Sequence, residues 1–490
     1  MRDDQIAAIL RDANPWWLAA ATGRSPTAWT GSHRLLRDRA RYDLGYRSQV
    51  LDDVATDPVD DKLVVLTGPR RVGKSIALID TAAALCGRED CDPRQVIHIP
   101  ADDFSAQDLN RAFVLGRDLT SSVDRGELRR RAWLLDEVSG IPGWTATLKR
   151  LRDQSLVGED TVVATGSRWV GAEDVTANLF AGRAGTGTHR RIRHVLPMSF
   201  RDFLAVSGRR LPAPGPIPVW ELQTDQVRAA LEPLVFLIDD YDLAWQAYLR
   251  SGGFPRAVYE SVTAGAVSQG YLRDLEAWLV ADIERDETPD SVTILLDAIT
   301  TRATSPLNLT RTARELGYGS RNQFDRRIKR LVATFAALEC PQRDDRGAVI
   351  AGAQAKYYLS DPILAWLPSR LRAGLAEPEL TTLTEMALGA SLAVAIENLE
   401  EGRLAFGDTI GYVRTQSGQE VDLCPVPVPT ASGSRPTTPI ESKWVSHKWR
   451  SEAKVVENKY QAGLLATRSI LDLSQPAWAV PAPLVALLLR

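Results

Sequence analysis

The sequence predicts an α/β protein whose first large domain is a parallel sheet covered by helices on both faces. From residue 62 to about 205, short apolar runs rich in β-branched residues alternate with helical patterns. These runs begin at Leu63, Val96, Ala132, Thr161 and Ile192. Strands buried on both faces read as near-continuous apolar runs, which is typical of parallel sheets. A hydrophobic content of 44% with 25% charged residues fits a globular chain that can bury such a sheet.

The length of the chain predicts several domains, because 490 residues exceed what one hydrophobic core usually organises. We expect five segments: a helical N-terminal lead-in at 1–60, the sheet domain at 61–205, a helical block at 206–285, a second helical block at 286–375, and a C-terminal α/β domain at 376–490. In the polar setting of the lead-in, Trp16, Trp17 and Trp29 look exposed.

Composition excludes several classes of protein. No run of about 18 apolar residues supports a membrane span, and the first residues are polar, unlike a secretory signal. The four cysteines are scattered and lack metal-ligand spacing, so a reducing cytoplasm is the expected location. A net charge of -3 offers no overall argument for nucleic acid, so only local clusters of basic residues count.

A glycine-rich motif follows the first apolar run and precedes a helical pattern. Residues 68–75 read GPRRVGKS and match G-x-x-x-x-G-K-[ST]. Glycines let backbone N–H groups surround phosphates, Lys74 reaches the β- and γ-phosphates, and the Ser75 hydroxyl can ligate Mg²⁺. The residues expected to bind nucleotide here are Gly68, Pro69, Arg70, Arg71, Val72, Gly73, Lys74, Ser75 and Ile76. The alternative is a chance Gly-rich turn, but the strand and helix on either side favour ATP with Mg²⁺.

Two acids end the third apolar run. Asp136 can hold Mg²⁺ through water, and Glu137 can orient and polarise the attacking water. Alone, such a pair is often a solvated turn; together with the phosphate-binding motif it predicts catalysis. Thr165 and Ser167 close the next run, where a polar group can sense the γ-phosphate, with ordinary helix capping as the alternative.

Several motifs together resemble a known family. GPRRVGKS at 68–75, LDEVSGIPGW at 135–144, TGS at 165–167, AGR at 181–183, LPMSFRDFL at 196–204 and YLRSGGFPR at 248–256 occur in that order. Over roughly 60–443 the chain resembles the prokaryotic, archaeal-type AAA-like ATPases that carry a C-terminal domain of uncharacterised function. The last motif is similar to a Gly-x-Pro element that those proteins share with signal-transducing ATPases.

The resemblance implies an additional-strand P-loop core with a helical lid, a winged helix, and a C-terminal restriction-endonuclease-like domain of the PD-(D/E)xK type. It also implies roles for Arg183 and Arg256 as catalytic, charge-stabilising arginines. They would act within one chain or from a neighbouring subunit, and the latter requires a homo-oligomer. The alternative for both is a surface salt bridge.

A candidate DNA-binding module lies in the second helical block. A short helix over 309–316 ends at glycine, and Ser320 opens a second helix on which Phe324, Ile328 and Leu331 pack inward. The side chains that lie largely away from this stripe and can meet DNA are Arg321, Asn322, Arg326, Lys329 and Arg330. Residues 356–361 are expected to close a wing hairpin. A solvated basic face, or a winged helix that binds protein, is the alternative.

Acids and a lysine recur near the C-terminus. Alternate residues share a face of a strand, so Glu420 points with Asp422, and Glu441 with Lys443. Asp422 and Glu441 can hold a hard divalent ion, and Lys443 can position water. The set resembles the Asp…Glu-x-Lys core of restriction-type nucleases, with Glu397 matching its leading acid. A solvated sheet face is the alternative, and prolines at 425–429 interrupt the expected strand pairing.

Two functional hypotheses follow. The first is an ATPase that couples nucleotide turnover to DNA binding or processing, with metal-dependent nuclease activity as an open question. The second is a nucleotide-dependent switch that binds a protein partner and whose nuclease-like domain is inert.

Overall fold

The computed structural model describes residues 1–56, 63–121, 130–154, 156–158, 160–167, 179, 191–283, 288–399, 403–404, 407–415, 418–474 and 476–489. The chain divides into two compact units, Met1–Leu196 and Pro197–Arg490. Each unit contains hydrophobic clusters of its own.

The first unit alternates strands and helices as the apolar runs predict. Its helices are α1 (Asp3–Ala13), α2 (Pro15–Ala21), α3 (Arg34–Ala40), α4 (Asp52–Thr56), α5 (Lys74–Cys86), α6 (Ala106–Leu119) and α7 (Trp144–Asp153). Its strands are β1 (Leu63–Thr67), β2 (Val96–Pro100), β3 (Ala132–Asp136), β4 (Thr161–Gly166) and β5 (Ile192–His194). All five strands begin at the residues where the sequence places the apolar runs, so this part of the prediction is confirmed.

The five strands form one parallel sheet in the order β2-β3-β4-β1-β5. Every residue of β1 and β4 is buried, as expected for strands covered on both faces. Strand β4 lies between β1 and β3. It is the additional strand that the family resemblance implies. In the register of the sheet, Leu66 lies beside Thr165 and Pro100 beside Asp136. The ends of the strands therefore bring polar side chains to one edge.

The N-terminal helices cover the outer edge of the sheet at β2. The Asn14 amide donates to the carbonyl of His98 over 2.8 Å and accepts from its N–H over 2.6 Å. The indole N–H groups of Trp16 and Trp17 both donate to the Val96 carbonyl. Trp16 and Trp29 are buried, so the expectation that these tryptophans are exposed is wrong. The polar residues around them do not show this burial, because Trp16 binds the distant strand β2 and Trp29 packs against Trp16.

The second unit is largely helical before its C-terminal part. Its helices are α8 (Phe200–Val206), α9 (Asp225–Leu231), α10 (Ile238–Ser251), α11 (Pro255–Ala264), α12 (Gln269–Ile283), α13 (Pro289–Thr300), α14 (Leu309–Glu315), α15 (Arg321–Ala333), α16 (Pro362–Leu371), α17 (Leu380–Glu397), α18 (Trp449–Tyr460) and α19 (Ala482–Leu489). A 3₁₀ segment, Glu232–Leu237, precedes α10.

The strands of the second unit form small sheets. They are β6 (Ala337–Cys340), β7 (Lys356–Leu359), β8 (Val413–Arg414), β9 (Glu420–Val421), β10 (Pro427–Thr430), β11 (Gly433–Pro436), β12 (Ile440–Ser442), β13 (Gly463–Thr467) and β14 (Ala477–Pro481). The pairs β6–β7, β8–β9 and β10–β11 are antiparallel, whereas β12, β13 and β14 form a parallel sheet. The prolines at 425–429 thus belong to a separate hairpin, β10–β11, rather than to a long strand.

Between residues 309 and 359, helices α14 and α15 are followed by the antiparallel pair β6–β7. The Ser320 hydroxyl accepts from the Gln323 N–H and caps α15. Phe324, Ile328 and Leu331 are fully buried, which confirms the inward stripe.

One described helix, α17, is long and apolar enough to cross a membrane by length and composition, with a mean hydropathy of 1.3. Within the fold, 67% of it is buried. The buried core helix of a folded unit meets the same criteria.

A buried carboxylate holds the Gly252–Gly253 turn in place. The Gly253 N–H donates to Asp361 Oδ2 over 2.7 Å, and the Met198 N–H donates to the Gly253 carbonyl over 2.7 Å. A Cβ on Gly253 would lie 2.0 Å from the Met198 oxygen, and one on Gly252 would lie 1.9 Å from Asp361 Oδ1. Both positions therefore require glycine. Burial raises the pKa of Asp361 to about 7, although the N–H groups of Gly253 and Ile363 oppose the rise.

We predict a specific pH dependence for Asp361→Asn. The folded chain holds the Asp361 proton more tightly than the unfolded chain, whose ordinary pKa is about 3.9. The contribution of Asp361 to stability is therefore complete below about pH 4 and declines as the pH rises toward 7. Melting temperatures should show a larger advantage of wild type over Asp361→Asn at pH 5 than at pH 7.5. The exposed control Asp239→Asn should show no such change, and an equal difference at both pH values for Asp361→Asn would contradict the assignment.

Candidate functional site

The glycine-rich loop joins β1 to α5 at the C-terminal edge of the sheet. Gly68 has a φ of 145°, and a Cβ there would lie 2.0 Å from the Val195 carbonyl oxygen. Gly73 has a φ of 102° and directly precedes α5. These two glycines allow the loop to turn tightly against β5 and to present its N–H groups at the N-terminal end of a helix, where anions bind favourably.

Lys74 lies inside this loop. Its side chain is buried, and its Nζ donates to the carbonyl oxygens of Gly68 over 2.8 Å and Pro69 over 2.7 Å. The neighbouring Arg70 and Arg71 are exposed. The ammonium group is thus held at the centre of the loop, where the motif places the β- and γ-phosphates.

Asp136 connects three parts of the sheet edge. Its Oδ1 accepts hydrogen bonds from the Ser75 hydroxyl over 3.0 Å and from the Thr165 hydroxyl over 2.8 Å. Ser75 begins α5, Asp136 ends β3, and Thr165 lies near the end of β4. A hydroxyl and a carboxylate oxygen side by side are ligands that Mg²⁺ prefers, so Ser75 and Asp136 fit the ion that the motif implies.

Glu137 adopts a strained backbone and a fixed side chain. Its φ of 57° lies in the left-handed region, which costs a residue other than glycine on the order of 1–3 kcal/mol. Its Oε1 accepts from the Ser139 hydroxyl over 2.7 Å, and from the Ser167 N–H over 3.0 Å and hydroxyl over 2.9 Å. Its N–H donates to the Thr165 hydroxyl over 2.9 Å. Within the described ranges Oε2 accepts no hydrogen bond, so one carboxylate oxygen is anchored and the other can meet a water.

Asp102, which belongs to none of the motifs in the sequence, follows β2 at the same sheet edge. The neighbouring Ala101 N–H donates to the Asp136 carbonyl over 2.8 Å. Partial burial and then the charges of Asp136 and Glu137 raise the pKa of Asp102 to about 6. An acid directly after a strand that neighbours β3 is the signal that could have found it.

The two candidate arginines have different outcomes. Arg183 lies outside the described residues. Arg256 lies on α11 in the second unit, where its guanidinium donates to Glu260 over 2.9 Å and stacks over the Tyr271 ring at 4.9 Å. The ion pair with Glu260 is the alternative that the sequence left open, and a catalytic role for Arg256 stays a prediction.

The candidate DNA-contacting residues all lie on α15, and all five are exposed, namely Arg321, Asn322, Arg326, Lys329 and Arg330. Lys329 forms an ion pair with Asp325 at 2.8 Å, and Arg330 donates to the carbonyl of Ile283. Lys329 and Arg330 are therefore exposed residues that also have partners within the chain.

The acids near the C-terminus do come together. The Asp422 N–H donates to Glu441 Oε2 over 3.1 Å, and the Ser442 N–H donates to Asp422 Oδ2 over 3.1 Å. Lys443 Nζ lies 2.8 Å from Glu441 Oε1 and 4.0 Å from Asp422 Oδ2. Glu441 on β12 and Lys443, which directly follows it, thus point the same way, as the alternation predicts.

Two residues of this cluster are absent from the sequence prediction. Lys356 Nζ lies 2.9 Å from Asp422 Oδ1, 3.2 Å from Glu385 Oε1 and 3.4 Å from Glu420 Oε2. Glu397, the acid chosen from the sequence, instead accepts from the Leu404 N–H. Glu385 lies on the same helix and reaches the cluster in its place; acids on one helix that point to different neighbours cannot be told apart by motif matching alone.

Burial and mutual charge set the protonation of the cluster. Burial and the Asp422 charge raise the pKa of Glu385 to about 7 and that of Glu441 to about 8. Burial also opposes ionisation of Asp422, but Lys356 and then Lys443 outweigh it and lower the pKa of Asp422. Asp422 is therefore the acid of this cluster that is ionised most readily, and Lys356 is its nearest cation.

Comparison with known proteins supports an assignment for the first unit. Residues 60–204 match the model of a family described as an AAA domain. A search among curated proteins found no significant match.

Two solved structures are similar over much of the chain. The Walker-type ATPase PABY2304 of Pyrococcus abyssi is 17% identical, with 67% of this chain and 95% of that chain covered and a TM-score of 0.35. The RuvB Holliday junction branch migration motor of Thermotoga maritima is 14% identical, with coverages of 64% and 92% and a TM-score of 0.28. Both TM-scores are low, so the assignment rests on the family match and the site geometry. Residues 60–204 form a P-loop ATPase domain of the AAA type.

Proposed function

We propose that this protein uses ATP hydrolysis in its first unit to control DNA binding by the second. The observation that carries the proposal is the exposed basic face of α15, opposite a fully buried stripe, in a chain that also contains an AAA-type ATPase domain. Helices α14 and α15 followed by the β6–β7 hairpin support the interpretation as a winged helix, in which the second helix of the pair would enter the major groove.

The chemistry at the nucleotide site follows from the geometry of its side chains. The loop N–H groups and the Lys74 ammonium would bind the phosphates, and Ser75 with Asp136 would hold Mg²⁺. When bound, this ion neutralises charge on the β- and γ-phosphates. Ser139 and Ser167 hold Glu137 so that it can orient a water in line with the γ-phosphorus. The water oxygen bonds to phosphorus, the bond to the β–γ bridging oxygen breaks, and Glu137 accepts the proton.

DNA contact is assigned to three exposed residues of α15. Arg321, Asn322 and Arg326 can reach phosphates or base edges, while Arg330 is engaged with the end of α12. Phosphate contacts release counterions and therefore make binding steeply dependent on salt.

The second candidate function is a nucleotide-dependent switch that binds a protein partner. The intrachain bonds of Lys329 and Arg330 and the net charge of -3 favour it. Under this alternative the winged helix is a scaffold and the C-terminal domain has no catalytic role.

We expect Lys74→Ala to abolish ATP hydrolysis, because the loop loses the ammonium that faces the phosphates. Steady-state phosphate release measures the effect. Lys149→Ala, which removes a lysine of the same unit outside the loop, should retain wild-type turnover. Near-wild-type hydrolysis by Lys74→Ala would move the site elsewhere.

Glu137→Gln should bind ATP normally but hydrolyse it more slowly, on the order of 10²-fold or more, because the water loses its proton acceptor. A single-turnover assay together with nucleotide-binding measurements separates the two effects. The exposed Glu89→Gln is the matched control. Unchanged hydrolysis would assign the base role to another residue, for which Asp102 at the same edge is a candidate.

The DNA proposal predicts a defect in the Arg321→Ala/Arg326→Ala double variant. Gel shifts with duplex, forked and single-stranded DNA, with and without ATP, should show weaker binding. The slope of log affinity against log salt should fall by about one for each phosphate contact removed. Arg209→Ala/Arg210→Ala removes the same charge from another exposed position and should bind as wild type does. No shift by wild type, or a response independent of salt, would favour the protein-binding switch.

A further inference from the structure

Lys356 is fully buried, and three carboxylates surround its ammonium group. Its Nζ lies 2.9 Å from Asp422, 3.2 Å from Glu385 and 3.4 Å from Glu420. A protonated lysine has three N–H donors and no acceptor, so three acids match its capacity. A buried ammonium is tolerated only with such partners.

The groups around Lys356 come from separate elements of the second unit. Lys356 and Tyr358 lie on one side of β7, and the Tyr358 hydroxyl donates to Glu385 Oε1 over 2.7 Å. Glu385 is on α17. This helix can approach β7 closely because Gly389 has no side chain; a Cβ there would lie 2.8 Å from the Tyr358 ring. Asp422 directly follows β9. The cluster thus fixes the β6–β7 hairpin to the C-terminal domain.

The same oxygens are the ones that a divalent ion would need. Asp422 Oδ1 is occupied by Lys356, and Oδ2 accepts from the Ser442 N–H. The two oxygens of Glu441 are bound to Lys443 and to the Asp422 N–H. Hard cations bind carboxylates at roughly 2.0–2.6 Å, so an ion on Asp422 Oδ1 would lie against the ammonium. In the described part of the chain, no three His, Cys, Asp or Glu side chains are arranged to hold a metal.

We propose that Lys356 is the resident cation of this cluster and takes the place of the divalent ion that a restriction-type nuclease would bind there. The C-terminal domain is then a platform that holds the hairpin, and it does not cut nucleic acid. The inference concerns residues of the second unit alone and does not depend on ATP hydrolysis or DNA binding.

Metal binding by the full chain tests the inference directly. Mn²⁺ is titrated without nucleotide into Asp136→Asn, which weakens the separate site at the P-loop, and free Mn²⁺ is followed by electron paramagnetic resonance. Asp136→Asn should bind no more Mn²⁺ than the double variant Asp136→Asn/Asp422→Asn does. A bound Mn²⁺ that disappears with Asp422→Asn would overturn the proposal.

Removing the lysine provides a second, independent test. Lys356→Met keeps much of the side-chain volume but leaves the acids without their cation, so its melting temperature in EDTA should fall by several degrees. Millimolar Mn²⁺ should raise the melting temperature of Lys356→Met, and the additional change Asp422→Asn should remove this rescue. All melting measurements use the Asp136→Asn background, in which the chain that keeps Lys356 and the exposed control Lys454→Met should show neither effect.

Two outcomes of the melting experiment would contradict the proposal. One is an unchanged melting temperature for Lys356→Met, and the other is equal stabilisation by Mn²⁺ of the Asp136→Asn chain that keeps Lys356. If Lys356→Met does not fold, the titration of Asp136→Asn still decides. Cleavage of supercoiled plasmid by wild type with Mn²⁺, lost in Asp422→Asn, would also overturn the proposal.

Discussion

The nucleotide site depends on the two hydrogen bonds that the Asp136 carboxylate accepts. This carboxylate joins the start of α5, through Ser75, to the end of β4, through Thr165. This is possible only because β4 lies between β1 and β3, so that three strand ends meet at one edge of the parallel sheet. The same edge holds Glu137 in a strained conformation with three hydrogen bonds to one oxygen. The fold thus holds Asp136, the proposed magnesium ligand, and Glu137, the proposed water-orienting acid, in place before any substrate arrives.

The second unit organises its buried charge differently. Around Lys356, positive and negative side chains satisfy one another, and every oxygen of Asp422 and Glu441 has a partner within the chain. At the P-loop edge, by contrast, Asp102, Asp136 and Glu137 lie near one another, and partial burial together with the charges of the other two acids raises the pKa of Asp102. An excess of negative charge is what a bound magnesium ion would partly neutralise. A cluster already neutralised by lysine has no comparable need for a metal.

Local signals carried the prediction of the first unit. Five apolar runs located the strands to the residue, and the phosphate-binding motif located the loop, because both depend on short stretches of chain. Long-range partners were harder. Trp16 and Trp29 are buried in a unit whose sheet begins at Leu63, and Lys356 meets acids from α17 and β9 that lie 29 to 66 residues further along the chain. The residues next to each partner in the sequence do not indicate such contacts. Glu385 and Glu397 share one helix, and only the packed structure distinguishes the acid that joins the cluster.

The central claim is that the sheet edge around Asp136 binds a nucleotide together with magnesium. Equilibrium binding of a fluorescent ATP analogue, measured by anisotropy with Mg²⁺ and then with EDTA, tests it most directly. The structure predicts saturable binding that weakens markedly when Mg²⁺ is removed, and a loss of this magnesium dependence in Asp136→Asn. Absence of binding, or equal affinity with and without Mg²⁺ in wild type, would contradict the account.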